Sequence, residues 1–113
     1  VAKRALSLVY SSATSPRVLI LGVAYKPGVG DVRESPVLAL RVELKRLGAV
    51  IAWHDPLVPL WEGSEPVDLE WECDVAILAT NQPGMDVMQL ITRGVRILDC
   101  TNSISVQAGV NSL

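Results

Sequence analysis

The chain has 113 residues, half of them apolar, and its ten Lys and Arg residues are balanced by twelve Asp and Glu residues. This length fits one domain with a single packed core, and no apolar run approaches the roughly 18 residues of a membrane helix. The net charge of −2 argues against nucleic acids and membrane surfaces as partners.

Two cysteines, Cys73 and Cys100, stand in no spacing that is typical of a metal site or a redox pair. No apolar segment of signal-peptide length follows the basic residues Lys3 and Arg4. We therefore expect a cytoplasmic protein with reduced, partly buried thiols and no metal site.

The charge is distributed unevenly along the chain. Residues 1–50 carry eight basic and three acidic side chains, whereas residues 51–113 carry two and nine. A basic half around the glycine-rich stretch Gly22–Asp31 favours an anionic small ligand. Ordinary scatter of surface charge explains the same numbers equally well.

Residues 2–10 have the pattern of a helix end, but no capping residue precedes Val1, and nine residues are marginal as a separate helix. This abrupt start indicates a piece of a longer protein. The apolar run in Arg17–Gly22 predicts a short strand that is buried on both faces, as in the centre of a parallel sheet.

A helix is predicted within Glu34–Ala49. Ser35 can cap its first turn, Pro36 suits its first helical position, and Gly48 suits its end. Its apolar face consists of four side chains at helical spacing, Val37, Leu40, Leu44 and Leu47.

Three more strands are predicted from short apolar runs, at residues 50–54, 75–79 and 95–99. A helix around Met85–Thr92 separates the last two. The acidic stretch 57–72 is irregular, with room for a short edge strand or a helical turn, and the tail 102–113 has no informative pattern. Because strands alternate with helices, we predict an α/β fold: a Rossmann-like, doubly wound parallel sheet of about 4–5 strands flanked by helices.

The simplest winding places the first strand centrally, the second on one side of it, and the third and fourth on the other. Ligands bind such sheets outside the carboxyl ends of the strands, where the strand order reverses. Four segments form that rim: the loop from Gly22, His54–Asp55, Thr80–Asn81 and Asp99–Asn102. This winding predicts a ligand site at the glycine-rich stretch.

The glycine-rich stretch matches neither of two common phosphate-binding motifs. A Walker A motif has its Lys directly after the second glycine, whereas Lys26 precedes Gly28. The dinucleotide fingerprint G-x-G-x-x-G is also missing, because the position three beyond Gly30 is Arg33. On these residues alone, a loop that merely turns the chain is an alternative to a phosphate site.

Continued to Pro36, the stretch reads G-V-A-Y-K-P-G-V-G-D-V-R-E-S-P. It resembles the signature of the UDP-glucose/GDP-mannose dehydrogenase family, in the domain that follows the catalytic part. The family has a glycine, two small apolar residues, Phe or Tyr, Lys, and then Asp-x-Arg-x-Ser-Pro. The matching residues are Gly22, Tyr25, Lys26, Asp31, Arg33, Ser35 and Pro36. The resemblance runs from about Arg17 to Asn102, with further similarity in the strands that end in Asp-Pro, Thr and Asp.

The resemblance implies that residues 1–13 are the end of an interdomain helix, and that residues 14–113 are a C-terminal UDP-sugar-binding domain. The full enzyme would be an NAD-dependent nucleotide-sugar 6-dehydrogenase of polysaccharide biosynthesis, which oxidises the C6 hydroxyl to a carboxylate. The Rossmann domain that holds most of the NAD and the catalytic cysteine lie upstream in this family. We therefore expect no catalytic residue in this chain, no activity from it alone, and a full-length homo-oligomer, such as a dimer.

The resemblance also implies roles for single residues. Tyr25 and Lys26 would contact the UDP-sugar, unless Tyr25 only packs and Lys26 is only a solvated loop residue. Arg33 would reach the NAD, although pairing with Asp31 or Glu34 is a competing explanation.

Thr101 stands where the family has the substrate-contacting arginine of Asp-x-Arg-Asn. As a substrate contact, its hydroxyl offers a hydrogen bond but no charge. We interpret Asp31 and Ser35 as architectural, with Asp31 shaping the loop and Ser35 capping the helix. His54 is interpreted as a variable residue of the rim, with a general base as the alternative.

The wording G-V-A-Y-K and H-D-P-L-V-P resembles the branch that acts on UDP-N-acetylhexosamines, such as UDP-N-acetylmannosamine, more than the UDP-glucose branch. Sugar selectivity depends mostly on upstream residues in this family. A stand-alone Rossmann-like module that binds a nucleotide or coenzyme A, or that only docks other proteins, is the alternative without catalysis.

Overall fold

The computed structural model describes residues 1–8, 15–33, 35–104, 107 and 109–112, and in them the chain forms five strands and three helices. The strands are β1 (Arg17–Leu21), β2 (Val50–His54), β3 (Val75–Leu78), β4 (Arg96–Asp99) and β5 (Val110–Ser112). The helices are α1 (Ala2–Ser7), α2 (Val37–Arg46) and α3 (Val87–Thr92). None of these helices has the length and hydropathy that crossing a membrane would take.

The five strands form one parallel sheet with the order β2-β1-β3-β4-β5. The predicted α/β fold and its winding are therefore confirmed, with β1 between β2 and β3. In this register Leu21 pairs with both His54 and Leu78, and Leu78 pairs with Asp99. The carboxyl ends of the strands thus lie along one rim, where the strand order reverses between β1 and β3.

Most predicted elements lie within two residues of their expected bounds, but β5 is an addition. The tail 102–113 has no sequence pattern, yet Val110–Ser112 pairs with β4 at the edge of the sheet. The acidic stretch 57–72 contains an isolated antiparallel bridge between Trp61 and Ser64 and no helix. The predicted helix end at residues 2–10 contains α1, while its last two residues lie outside the described ones.

β1 is buried on both faces because helices cover the sheet from two sides. Val18 and Ile20 belong to a core cluster that includes α1 and α2, whereas Leu19 and Leu21 belong to a second cluster that includes α3. All four side chains are fully buried. This alternation explains the near-continuous apolar run of the strand.

The ends of α2 depend on the residues that punctuate the sequence there. Pro36 lies at the N-cap, one position before its expected place, and the hydroxyl of Ser35 accepts a hydrogen bond from the Val37 N–H at 3.3 Å. Gly48 ends the helix with a φ of 89°. Its N–H donates to the Lys45 carbonyl at 3.0 Å, as is usual for a glycine in this position.

Two tryptophans of the core form an edge-to-face contact, which we call the Trp pair. The ring centroids of Trp53 and Trp61 are 5.8 Å apart with an interplanar angle of 79°. The indole N–H of Trp53 donates to the Ser64 hydroxyl at 2.9 Å, and the guanidinium of Arg41 lies 5.4 Å from the Trp61 ring centroid. The Trp pair therefore fixes the start of the acidic stretch against β2 and α2.

Candidate functional site

The loop that follows β1, residues 22–33, lies at the rim where the strand order reverses; we call it the glycine loop. Its first residue has a φ of 80°, and a Cβ atom on Gly22 would overlap the carbonyl oxygen of Thr80. The Gly22 N–H donates to the His54 carbonyl at 2.8 Å, and the Thr80 hydroxyl donates to the Ala24 carbonyl at 2.8 Å. Only glycine fits this approach between the loop and the end of β3.

Asp55 supports the beginning of the glycine loop from its buried side. The residue is 2% exposed, and one carboxylate oxygen accepts hydrogen bonds from the N–H groups of Val23 and Ala24 at 2.9 and 3.3 Å. The other oxygen accepts from the Leu57 N–H at 2.9 Å. Asp55 therefore satisfies backbone donors of two loops at once.

Gln82 holds the middle of the glycine loop and is also 2% exposed. Its side-chain oxygen accepts from the Gly28 N–H at 2.8 Å, and its side-chain nitrogen donates to the Val29 carbonyl at 2.8 Å. The same nitrogen donates to Asp55 at 3.1 Å. The two buried side chains thus form one connected support beneath the loop.

Tyr25 and Lys26 lie on the exposed side of the glycine loop. Tyr25 is 46% exposed, and its N–H donates to the Asp31 carbonyl across the loop at 3.1 Å. The Lys26 ammonium lies 5.5 Å from the Tyr25 ring centroid and takes part in neither ion pair of the described residues. An aromatic face and a cation at one place suit a ligand with a planar base and an anionic group.

Arg33 pairs with Asp31, one of the two partners that the sequence suggested; Glu34, the other, lies outside the described residues. The guanidinium Nε and one Nη donate to the two carboxylate oxygens at 3.0 and 2.7 Å. This side-chain hydrogen bonding, assisted by the Arg33 N–H, lowers the pKa of Asp31 to about 2. The Arg33 side chain is 86% exposed, so Asp31 orients a cation that faces outward from the loop.

Thr101 follows β4 on the same rim, two strands away from the glycine loop. Its hydroxyl donates to one oxygen of Asp99 at 2.6 Å and its N–H donates to the same oxygen at 2.8 Å. The other oxygen of Asp99 accepts from the Ile104 N–H at 3.0 Å. Burial opposes the charged form of Asp99, but the hydrogen bonds from Thr101 and Ile104 outweigh it and lower the pKa.

The two cysteines have the environment of unreactive thiols. Burial raises the pKa of Cys73 to about 11, and burial together with the charge of Asp99 raises the pKa of Cys100. Both are therefore thiols at neutral pH. Among the described residues, no group of three His, Cys, Asp or Glu side chains is placed to hold a metal ion.

His54 lies at the carboxyl end of β2, on the rim. Its Nδ1 lies 2.7 Å from the Val67 carbonyl oxygen, and because a carbonyl oxygen only accepts, Nδ1 donates this hydrogen bond. The ring lines an open cleft of about 430 Å³ that also has acidic side chains of Asp68, Glu70 and Asp86 on its walls.

The structure thus brings Tyr25, Lys26 and Arg33 together on one loop and places Thr101 farther along the same rim. Sequence reasoning identified these positions but not the supporting role of Gln82, which belongs to no motif. For Asp55 a signal existed, since a buried strand that ends in an acidic residue puts that residue on the rim.

Comparison with known proteins points to one family. The model of the UDP-glucose/GDP-mannose dehydrogenase family, UDP binding domain, matches residues 19–105. A curated relative, UDP-glucose 6-dehydrogenase TuaD of Bacillus subtilis (strain 168), is 28% identical over 96 residues. The alignment covers 76% of this chain and 21% of the relative, so the chain spans about a fifth of that protein's length.

Several solved structures share the fold. A GDP-mannose dehydrogenase from Pseudomonas aeruginosa has a TM-score of 0.67 at 22% identity, over 98% of this chain and 30% of that one. A UDP-D-ManNAc dehydrogenase from Pyrococcus horikoshii has a TM-score of 0.70 at 24% identity, over 98% and 29%. The UDP-N-acetyl-mannosamine dehydrogenase Cap5O from Staphylococcus aureus has a TM-score of 0.70 at 16% identity, over 98% and 29%.

Proposed function

Because the chain belongs to the UDP-glucose/GDP-mannose dehydrogenase family and matches its UDP-binding domain, we propose that the rim of its sheet binds the UDP part of a nucleotide-sugar. The observation that carries this proposal is the construction of the glycine loop. Its backbone is held from below by buried polar side chains, while Tyr25 and Lys26 are left exposed above. A fixed loop loses little conformational freedom when a ligand binds.

Each proposed ligand contact follows from the chemistry of the side chain. Lys26 supplies a compact positive charge for the pyrophosphate, and Tyr25 supplies an aromatic face and a hydroxyl beside it. Thr101 offers one hydroxyl to the substrate, and that hydroxyl is already bonded to Asp99 in the described structure. Its share in binding is therefore smaller than that of a free donor.

The proposed parent protein is an NAD-dependent nucleotide-sugar 6-dehydrogenase, in which residues 1–13 end an interdomain helix and residues 14–113 form the C-terminal domain. The sugar would be of the UDP-N-acetylmannosamine or UDP-glucose type. The change from alcohol to carboxylate would need two equivalents of NAD as oxidant, and most of the NAD site would lie in upstream domains. This chain would contribute Arg33, whose second Nη bonds to no described residue and is oriented by Asp31.

The position of α1 is compatible with that arrangement. The helix packs against α2 and β3 on one face of the sheet, and Val1 lines an apolar cleft with Ala79 and Cys100, which follow β3 and β4. Upstream chain would therefore approach from the same rim as the glycine loop. We propose a cytoplasmic homo-oligomer, such as a dimer, for the full-length enzyme.

Calorimetric titration of the 113-residue chain with UDP, GDP and coenzyme A tests the binding proposal. We expect UDP to bind, GDP to bind more weakly, and coenzyme A not to bind. Binding of coenzyme A without UDP would instead support a stand-alone module. A second assay, with UDP-glucose or UDP-N-acetylmannosamine plus NAD, should show no turnover, and turnover by the chain alone would contradict an upstream catalytic cysteine.

A further inference from the structure

Gln82 is a buried side chain with every polar atom turned toward the glycine loop and its support. The carboxamide accepts from the Gly28 N–H with one end and donates to the Val29 carbonyl and to Asp55 with the other. A carboxylate in its place could accept but could not donate at neutral pH. The contacts therefore require an amide, in one orientation.

Asp55 and Gln82 hold the backbone on either side of the exposed pair Tyr25 and Lys26. Asp55 binds the N–H of Ala24, directly before Tyr25, and Gln82 binds the N–H of Gly28, two residues after Lys26. Asp55 and Gln82 are also hydrogen-bonded to each other. The segment between Ala24 and Gly28 is therefore held at both ends by one connected pair of side chains.

We infer that Gln82 is a positioning residue for nucleotide binding: it sets the place of Lys26 and Tyr25 by holding the Gly28–Val29 peptide. The inference rests on the proposed UDP-binding function. It gives a role in binding to a residue that does not touch the ligand and that lies 54 positions from Gly28 in the chain.

The first test needs no ligand. Amide hydrogen exchange of Gly28 is measured by NMR in the wild-type chain, in Gln82→Glu, and in the matched control Gln89→Glu, which makes the same charge change on the partly exposed side of α3. We expect exchange at Gly28 to accelerate by about tenfold or more in Gln82→Glu only. Amides of β1 and β3 serve as internal references for global opening.

The second test measures UDP affinity of the same three proteins by calorimetry. Gln82→Glu should weaken binding by about tenfold, because its carboxylate faces the Asp55 carboxylate and the Val29 carbonyl. Among the described residues, Asp55 is the acidic side chain that contacts Gln82. A buried carboxyl beside it titrates above the usual value, so lowering the pH from about 8 to about 5.5 should bring the variant's affinity back toward the wild type's.

The outcomes separate the two proposals. A wild-type chain that does not bind UDP while its Gly28 amide is protected would contradict the proposed function, not the positioning by Gln82. A wild-type chain that binds UDP, with a Gln82→Glu variant of equal affinity and equal Gly28 exchange, would overturn the positioning role. Weaker binding that tracks a fall in melting temperature and shows no recovery at low pH would also overturn it, since it would indicate general destabilisation.

Discussion

Gly22 lies directly against the carbonyl group of Thr80, so that a Cβ atom on Gly22 would overlap the oxygen. The contact joins the end of β1 to the end of β3, where the strand order reverses. Because the oxygen belongs to the backbone of a sheet strand's end, it cannot move aside as a flexible side chain would.

Gly22→Ala should therefore destabilise the fold more than a change at an ordinary glycine of positive φ. Gly63→Ala is the matched control, since Gly63 has a φ of 75° but open space where the Cβ would be. Gly63→Ala should lower the free energy of unfolding by about 1–2 kcal/mol, because alanine is strained in the left-handed backbone conformation. Gly22→Ala should lower it by about 2 kcal/mol more, because its Cβ also overpacks the site. Urea unfolding of both variants measures the difference, and equal losses would contradict the overlap.

Lys26→Ala should weaken UDP binding by about tenfold, because it removes a charge-assisted contact to the pyrophosphate. Lys45→Ala removes the same charge from the exposed surface of α2 and should leave the affinity unchanged. Added salt should shrink the difference between wild type and Lys26→Ala, since an exposed contact is screened. Equal affinities of the two variants would leave Lys26 as a solvated loop residue.

On the role proposed for Arg33, Arg33→Ala should act on the cofactor rather than on the sugar nucleotide. In the full-length enzyme we expect it to raise the KM for NAD with little change in the KM for the UDP-sugar, the reverse of Lys26→Ala. Asp31→Ala should reproduce a weaker form of the same effect, because it removes the carboxylate that orients the guanidinium. If both KM values rose together in either variant, the loop would be scaffold rather than a divided binding surface.

Thr101→Val should make the chain more sensitive to acid. The pKa of Asp99 lies below its usual value in the folded state, so its contribution to stability is complete above about pH 4 and is lost as the pH falls through the folded pKa. Removing the hydroxyl donor raises that folded pKa. The midpoint of acid unfolding should therefore shift to higher pH, with a loss of about 0.5–1.5 kcal/mol at neutral pH.

Circular dichroism between about pH 6 and about pH 2 measures that shift. Thr92→Val, an exposed position at the end of α3, is the control. A shift of equal size in both variants would mean that the hydroxyl of Thr101 has no special effect on Asp99.

Thr101→Arg introduces the cation that the resemblance to the family implies at this position. The turn should persist in this variant, because the Thr101 N–H that bonds to Asp99 belongs to the backbone. We expect nucleotide-sugar binding to tighten by up to about tenfold. Added salt should reduce the gain, because it screens an exposed charge. Titration with UDP-glucose and UDP-N-acetylmannosamine at two salt concentrations provides the measurement. Weaker or unchanged binding by a folded variant would indicate that another cation already serves the substrate.

The sheet was predictable because its central strands are continuous apolar runs bounded by turn residues, and because Ser35, Pro36 and Gly48 punctuate α2. β5 was not, since three residues at a sheet edge carry no periodicity and their pairing depends on β4 alone. Helix boundaries moved by a residue or two because caps depend on tertiary hydrogen bonds, such as the one from Ser35 to the Val23 carbonyl.

The candidate site was predictable in one respect and hidden in another. The motif from Gly22 to Pro36 predicted the exposed residues of the glycine loop, Tyr25, Lys26 and Arg33, because they lie close together in the sequence. Its support was hidden because Asp55 and Gln82 meet the loop only after the strands are paired, 31 to 54 positions away along the chain. A buried Gln has no sequence mark that separates it from an exposed one.

The Trp pair provides an intrinsic circular dichroism signal. Three tryptophans and no phenylalanine are present, and two of the tryptophans lie edge to face in the core. Transition dipoles of two indoles at 5.8 Å couple, and the resulting circular dichroism couplet depends on their mutual angle. Because Trp53 stands two residues before Asp55, a substitution that displaces Asp55 beneath the glycine loop would alter this couplet, giving a label-free signal for variants of that support.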